Sequence, residues 1–502
     1  MTQIAYRATL SNAMWPQRAS KVSSTVVSPQ YESLSSRKAE LPPSEERDII
    51  APQVYYVENV LPTSYGFDSV GYVPVAPEPL ALEVGETLIN TAKASSASLP
   101  QVHFALSSAG ALYIMAPNLH VWKKSIHPFV VTADSFVTAA SMNDKIIVAV
   151  SGADTLYLYD ALTNEITFDG MGTPGLEDVD IQGVFSTTNY LAVWDADTIY
   201  WSAFENPLDF VPSEITGAGN GIIMAGRGRI RACVPTTLGF IIYCEQNAIA
   251  ALSTARSDEP FTLREISASG GISHIRQVVP DWNSNSHYAY TTSGLQQITN
   301  TDAKPFVTEL TDLIQGQVID YLDSFGMLVT EEWPLGVTTS VALVLDRYLC
   351  VSYKEQSAIE YQWCYVYDTW LRRAGRLKTS HAQIIDYYNN LAVVTRRGAV
   401  NVLRRSGLAG NFGLGRIALG KYQHIRQRML VLDSVDVDKV FGAAICTVRS
   451  SLDGFTDSAM SSGYKTGARW YFSNVGTNHT IHLRGDFSLN TVVLHYHIHG
   501  RA

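Results

Sequence analysis

A chain of 502 residues is too long for one ordinary core, so it either divides into domains or closes a repeat architecture. With 46% hydrophobic and 17% charged residues it is not a disordered chain, and a net charge of −10 excludes a protein that grips nucleic acid over its whole surface, although an acidic channel that lets DNA slide past stays compatible. Five scattered cysteines, Cys233, Cys244, Cys350, Cys364 and Cys446, form no CxxC, which excludes a disulfide framework and a cysteine-based zinc site, while the many Tyr, Thr and Val residues favour strands.

The first segment, residues 1–95, reads as an extended arm. MTQIAYRATLSNAMWPQ lacks the apolar stretch of a signal peptide, and the charge-free apolar run from Gly336 to Leu345 is far short of a bilayer span. The expectation is a soluble chain made in a cytoplasm, without stable membrane insertion. From Ser20 to Gln53 the chain is rich in Ser, Pro and charge with no period, so it cannot bury enough surface to fold alone. The aromatic stretch VYYVENVLPTSYGF from Val54 suggests that the arm docks on something else.

Residues 96–430 carry a repeating hairpin. IIVAVSGADTLYLYD (Ile146 to Asp160) and YLAVWDADTIYWSA (Tyr190 to Ala203) share an apolar strand, a small turn with Ala-Asp-Thr, and an aromatic strand. Five looser copies follow the same order: HFALSSAGALYIMA from His103, GFIIYCEQNAIAAL from Gly239, HYAYTTSGLQQIT from His287, SVALVLDRYLCVSY from Ser340 and NLAVVTRRGAVNVL from Asn390. Successive copies lie about 43, 44, 49, 48, 55 and 49 residues apart, the spacing of four-stranded propeller blades. A hairpin apolar on both faces needs neighbours on both sides, and closing the ring removes the open ends. The fold class expected is therefore mainly β: a β-propeller of about seven blades, in preference to ordinary hairpins stacked in sandwiches. Asp195 and Asp197 then fall at a hairpin tip, where a chain reversal wants short polar side chains, rather than in a metal or acid/base site.

One stretch, FVTELTDLIQGQVIDYL from Phe306, has near-helical apolar spacing and is expected to pack as a helix on the propeller. The glycines of GLAGNFGLGRIALG (Gly407 to Gly420) match no phosphate loop and suggest a linker leaving the propeller. Residues 431–502 form a C-terminal β-rich platform with strands in ICTVRSSLDGF, ARWYFSNVG and HTIHLRGDFSLNTVVLHYHIHG, RGDFSLN being read as the last hairpin turn. SSLDGFTD (Ser450 to Asp457) departs from the sialidase Asp-box in spacing and lacks its Trp, and is read as a turn.

Catalytic motifs are missing: there is no GxSxG, HExxH, phosphate-binding GxxxxGK[ST] or dinucleotide fingerprint after a strand, so no enzyme activity, catalytic residue or cofactor is expected. Alternation puts His495, His497 and His499 on one face of the last strand, a workable metal-ligand spacing, but a His-rich interface face explains them better. Between Asp386 and Asp433 every charged residue is basic, including Arg396, Arg397, Arg404 and Arg405, and Arg227, Arg229 and Arg231 alternate on one strand face. Contact with an acidic partner subunit or intramolecular pairing is favoured for these arginines over contact with DNA phosphates.

The stretches WSAFENPLDFVPS (Trp201 to Ser213), ISASGGISHIRQVV (Ile266 to Val279) and VYDTWLRRAG (Val366 to Gly375) are similar to blade segments of the tail nozzle, or packaged-DNA stabilisation, proteins of short-tailed bacteriophages. The resemblance spans roughly 100–430. It implies a homohexamer at the end of a virion tail, assembled in the host cytoplasm and attached to a tail adaptor ring. Tail fibre or needle proteins are further implied partners, and viral DNA makes transient, non-specific contact as it is retained and ejected. The alternatives are a propeller that binds or hydrolyses carbohydrate and a protein-binding scaffold propeller.

Overall fold

The computed structural model describes strands at 4–9 and 30–32, residues 53–75 and most of 82–499, the longer gaps being 116–121, part of 309–318, 323–327, 332–337, 406–414, 424–428 and 452–459. The chain is a β-propeller of seven four-stranded antiparallel blades set on a β-rich platform. From the axis outwards, blade one is Leu88–Ala94, Val102–Ser107, Ala111–Met115 and Trp122–Pro128, and blade two is Val137–Met142, Lys145–Val150, Tyr157–Asp160 and Glu165–Thr167. Blade three follows as Gly183–Ser186, Leu191–Trp194, Thr198–Trp201 and Gly219–Ile222, and blade four as Ile230–Thr236, Gly239–Cys244, Ala248–Ser253 and Phe261–Glu265. Blade five is Val278–Asp281, Ser286–Thr291, Gly294–Ile298 and Ala303–Pro305, and blade six is Thr338–Val344, Tyr348–Lys354, Tyr361–Asp368 and Arg373–His381.

Blade seven takes three strands from late in the chain, Gln383–Tyr387, Asn390–Val394 and Val400–Arg405, and its outermost strand, Phe67–Pro74, from the beginning. The pairing runs from Asn401 opposite Pro74 to Arg405 opposite Val70 and locks the ring. This alters the picture of the N-terminal segment as an arm without a core, because Val54, Val57, Val60, Phe67 and Val70 are all buried. The Ser- and Pro-rich stretch before Gln53 lies mostly outside the described residues.

The core is a set of seven wedges rather than one sphere. Six pairs of neighbouring blades have hydrophobic clusters of their own, and the wedge between blades five and six is continuous with the core of the platform. Phe104, Ile114, Val137 and Val148 fill the wedge between blades one and two; Tyr113, Trp122, Val394 and Val402 fill that between seven and one. This arrangement explains why second strands such as GFIIYC are buried at every position instead of alternating: both faces of every blade meet a neighbour.

The platform is built on two long antiparallel strands, Met429–Ser451 and Asn478–His499, paired from Met429 opposite His499 to Ser451 opposite Asn478 and bent by three register shifts. Gly415–Gln423, Gln53–Glu58, Arg469–Gly476 and Ile4–Thr9 add to them. Ser69 joins platform to propeller: its Oγ donates to Asp486 Oδ1 at 2.8 Å and accepts from the Phe487 N–H at 2.9 Å, inside a strand whose pairing partner is blade seven.

Three sequence expectations are corrected. RGDFSLN is no turn: Arg484 to Asn490 run inside the last long strand, where Asp486 and Ser488 face Phe441 and Lys439. Gly485, at φ 135, lets the chain twist there without leaving the ladder. Of the helix expected from Phe306, the described residues Thr308, Thr311 and Ile314 are helical and Ile314 is buried, the rest of that stretch lies outside the described residues, and its last part, Ile319–Leu322, is instead a strand paired with Leu328–Glu331. The copy SVALVLDRYLCVSY supplies strands one and two of its blade, whereas the other hairpins supply strands two and three. The extra chain between Pro305 and Thr338 displaced that register and produced the long interval.

Candidate functional site along the propeller axis

The innermost strands of all seven blades surround a cavity of about 510 Å³ on the axis. Ala92, Ala139, Ala140, Val184, Val341 and Ala342 make much of its wall small and apolar. An innermost strand has one edge without a ladder partner, so its backbone polar groups need other partners. Side chains from the adjacent blade supply them. Asn90 of blade one accepts from the Val137 N–H at 3.0 Å and donates to its carbonyl at 3.2 Å. Thr138 of blade two accepts from the Val184 N–H at 2.8 Å, and Gln277 donates to Thr339 across blades five and six at 2.8 Å. The Thr91 N–H donates to Gln383 Oε1 at 2.8 Å and closes the circle between blades one and seven.

The two mouths differ. The strand Phe67–Pro74 starts among platform partners and ends where the Val75 N–H donates to the Val400 carbonyl at 2.9 Å. Val400 begins the third strand of blade seven, which runs parallel to the innermost strand. The innermost strands therefore begin at the mouth away from the platform, and their leading segments carry Arg229, Arg231, His274 and Arg276 there. The His274 ring accepts from the Arg276 N–H at 3.1 Å. Burial first, then the charges of Arg276 and Arg231, push the His274 pKa down to about 3, so it stands there as a neutral ring.

The sequence-selected arginines are split between the two ends. Of Arg227, Arg229 and Arg231 only Arg231 lies in a strand, so the expected alternation on one strand face does not form. Arg227 pairs with Glu265 at 2.7 Å and Arg231 pairs with Glu245. Arg396 and Arg397 occupy the turn between strands two and three of blade seven, at the mouth away from the platform. Arg404 and Arg405 lie at the platform end. Arg404 Nη1 donates to Asn390 Oδ1 at 3.3 Å; Arg405 reaches Asp68 at 3.5 Å and donates to the Pro62 carbonyl at 3.2 Å, which holds the closing strand.

His495 and His497 meet carboxylates that the local sequence did not reveal. His495 Nε2 lies 3.0 Å from Asp436, which also binds Arg469 at 2.5 Å, and His497 Nδ1 lies 3.3 Å from Asp433. The side chain of His499 is outside the described residues. Among the described residues no group of three or more His, Cys, Asp or Glu could hold a metal ion. Asp195 and Asp197 form a hairpin tip: Asp195 Oδ1 accepts from the backbone N–H of Asp197 at 2.9 Å and of Thr198 at 2.7 Å, an Asx-turn. Sequence reasoning missed Arg276 and Lys354, since each is one cation in a loop or strand end with no local pattern around it.

No protein-family model and no curated sequence matches the chain. Among solved structures it is similar to the extracellular domain of a hybrid two-component system from B. thetaiotaomicron, at 10% identity and a TM-score of 0.43, covering 90% of this chain and 62% of that one. The chain thus spans less than two thirds of the length of that protein. It is also similar to YCF48 from Cyanidioschyzon merolae (13% identity, TM-score 0.39, 66% of this chain and 98% of that one) and to Hsv2 from Kluyvelomyces marxianus (10%, 0.35, 66% and 92%).

Proposed function

We propose that the chain is a structural subunit of a virion tail, a nozzle protein that assembles as a homohexamer on a tail adaptor ring, with fibre or needle proteins as further partners, and through which viral DNA is held and then ejected. The observation that carries this reading is the platform. Its two long strands, of 23 and 22 residues, reach up to about 75 Å at ~3.3 Å per residue, far beyond what closing a propeller requires. Ile445, Tyr464, Tyr471 and Val475 stand exposed on it, the kind of apolar surface that a ring of identical subunits covers. Arg404, exposed at the same end, suits an acidic neighbour.

Negative-stain imaging and native mass measurement of the chain co-expressed with its adaptor test the proposal. Rings of six copies with an open centre are expected. A chain that stays monomeric beside an assembled adaptor ring, and is missing from purified particles, overturns it. A carbohydrate-binding propeller is the second reading, favoured by the exposed Trp282 and Trp370, whose indole faces suit sugar rings. Glycan-array binding lost on Trp370→Ala would select it.

A further inference from the structure

Three cations from three successive blades converge on the channel mouth that faces away from the platform. Arg276 stands in the short turn Ile275–Gln277 leading into blade five and lines the axial cavity. Lys354 ends the second strand of blade six, directly opposite Thr338 at the start of the innermost strand. Arg396 sits in the turn of blade seven whose carbonyl accepts from the Leu88 N–H of blade one at 2.8 Å.

None of the three forms an ion pair among the described residues. Arg276 Nε is shut off from solvent without a hydrogen-bond partner. Asp134 is near enough to feel the Arg276 charge but does not pair with it. Lys354 donates to the Ile359 carbonyl at 3.1 Å and lies over the Tyr361 ring at 5.4 Å, so its partners there are neutral. Arg276 and Lys354 meet at one residue, since the Tyr361 side chain hydrogen-bonds Arg276 while its ring lies under Lys354. Burial, then the charges of Arg276 and Arg396, lower the Lys354 pKa. Two arginines of this mouth differ: Arg227 and Arg231 are already matched by Glu265 and Glu245.

Like charges collected around a low-dielectric opening, with a buried guanidinium N–H left unsatisfied, cost free energy that a counter-anion would recover. We infer that Arg276, Lys354 and Arg396 form a binding site for a phosphate group at the mouth of the propeller channel. A guanidinium fork and an ammonium together offer the directed donors and the point charge that phosphate oxygens take. Of the three cations Arg276 lines the axial cavity of about 510 Å³, which leaves room beside it for the group and for what it is attached to. The site stands independently of the tail assignment, since it uses only groups of one chain.

The test is isothermal titration calorimetry of the full chain with inorganic phosphate and, separately, with adenosine monophosphate. Both Lys354→Gln and Arg396→Gln change exposed or half-buried side chains that hold no ion pair, so these variants keep the fold; Arg397→Gln, on the neighbouring exposed arginine, is the control. Saturable 1:1 binding is expected, weakened tenfold or more in both test variants and unchanged in the control. Binding of phosphate alone identifies a free anion, and binding of both identifies a phosphate ester; either supports the site. No binding of either ligand, or equal weakening by the control, overturns it.

Discussion

Phe67→Ala is the substitution through which the join between propeller and platform can be weighed. Phe67 has no exposed surface, starts the strand that completes blade seven, and pairs with Pro62 on one side and Leu489 of the platform on the other. The Arg373 guanidinium lies over its ring at 4.5 Å, while Nη1 of the same residue donates to the Thr63 carbonyl at 2.9 Å. Truncating a buried phenylalanine costs about 3–5 kcal/mol, and the lost cation–π contact adds roughly 0.5–2 kcal/mol. That is a large part of the about 5–15 kcal/mol that holds a typical domain. Because the loss falls where the two parts meet, urea unfolding followed by near-UV circular dichroism should change from one transition to two, with the first midpoint well below that of the parent. Tyr65→Ala, in the same turn but 71% exposed, should shift the midpoint by no more than about 0.5 kcal/mol. If both variants unfold with the parent's single transition and midpoint, the join does not carry the stability assigned to it.

Gly183→Ala should destabilise by about 1–3 kcal/mol, since the new methyl would come within 2.3 Å of the buried Trp194 ring; a parent-like thermal midpoint would refute that packing. Asp195→Ala removes the acceptor for two backbone N–H groups and should cost about 1 kcal/mol in urea titration, with Asp195→Asn largely restoring it. Burial holds the pKa values of His287, His381 and His479 down at about 4, below the ordinary 6.5, so between those limits the unfolded chain binds more protons than the folded one. Stability is therefore full above pH 6.5 and is lost as pH falls toward 4, by up to about 3 kcal/mol per histidine; urea midpoints equal at pH 7 and pH 4.5 would contradict this.

The blade hairpins were legible because their second strands are apolar on both faces, as in Lys145–Val150 and Gly239–Cys244. Outer strands gave no signal: Phe261–Glu265 is almost wholly exposed and reads as a polar loop. The closing strand Phe67–Pro74 escaped for another reason. Arg405 and Asp68 lie 337 positions apart, and nothing in either segment announces the other. The same limit hid the partners of His495 and His497, since Asp436 and Asp433 meet them only once the long strands fix their register. Within the candidate phosphate site Arg396 stood out as part of a basic run, whereas Arg276 and Lys354 acquire meaning only when successive blades bring their ends to one opening.

The hydrogen bond from Ser69 to Asp486 spans 417 positions, so the join between propeller and platform cannot form until nearly the whole chain has been made. During synthesis the strand Phe67–Pro74 leaves the ribosome early with only its hairpin partner Val60–Pro62, and its other edge waits for Val400–Arg405. Such distant closure slows folding, and the waiting edge can pair with another nascent chain instead. Yield of native protein should accordingly respond more to growth temperature and chaperone supply than to any single substitution within a blade.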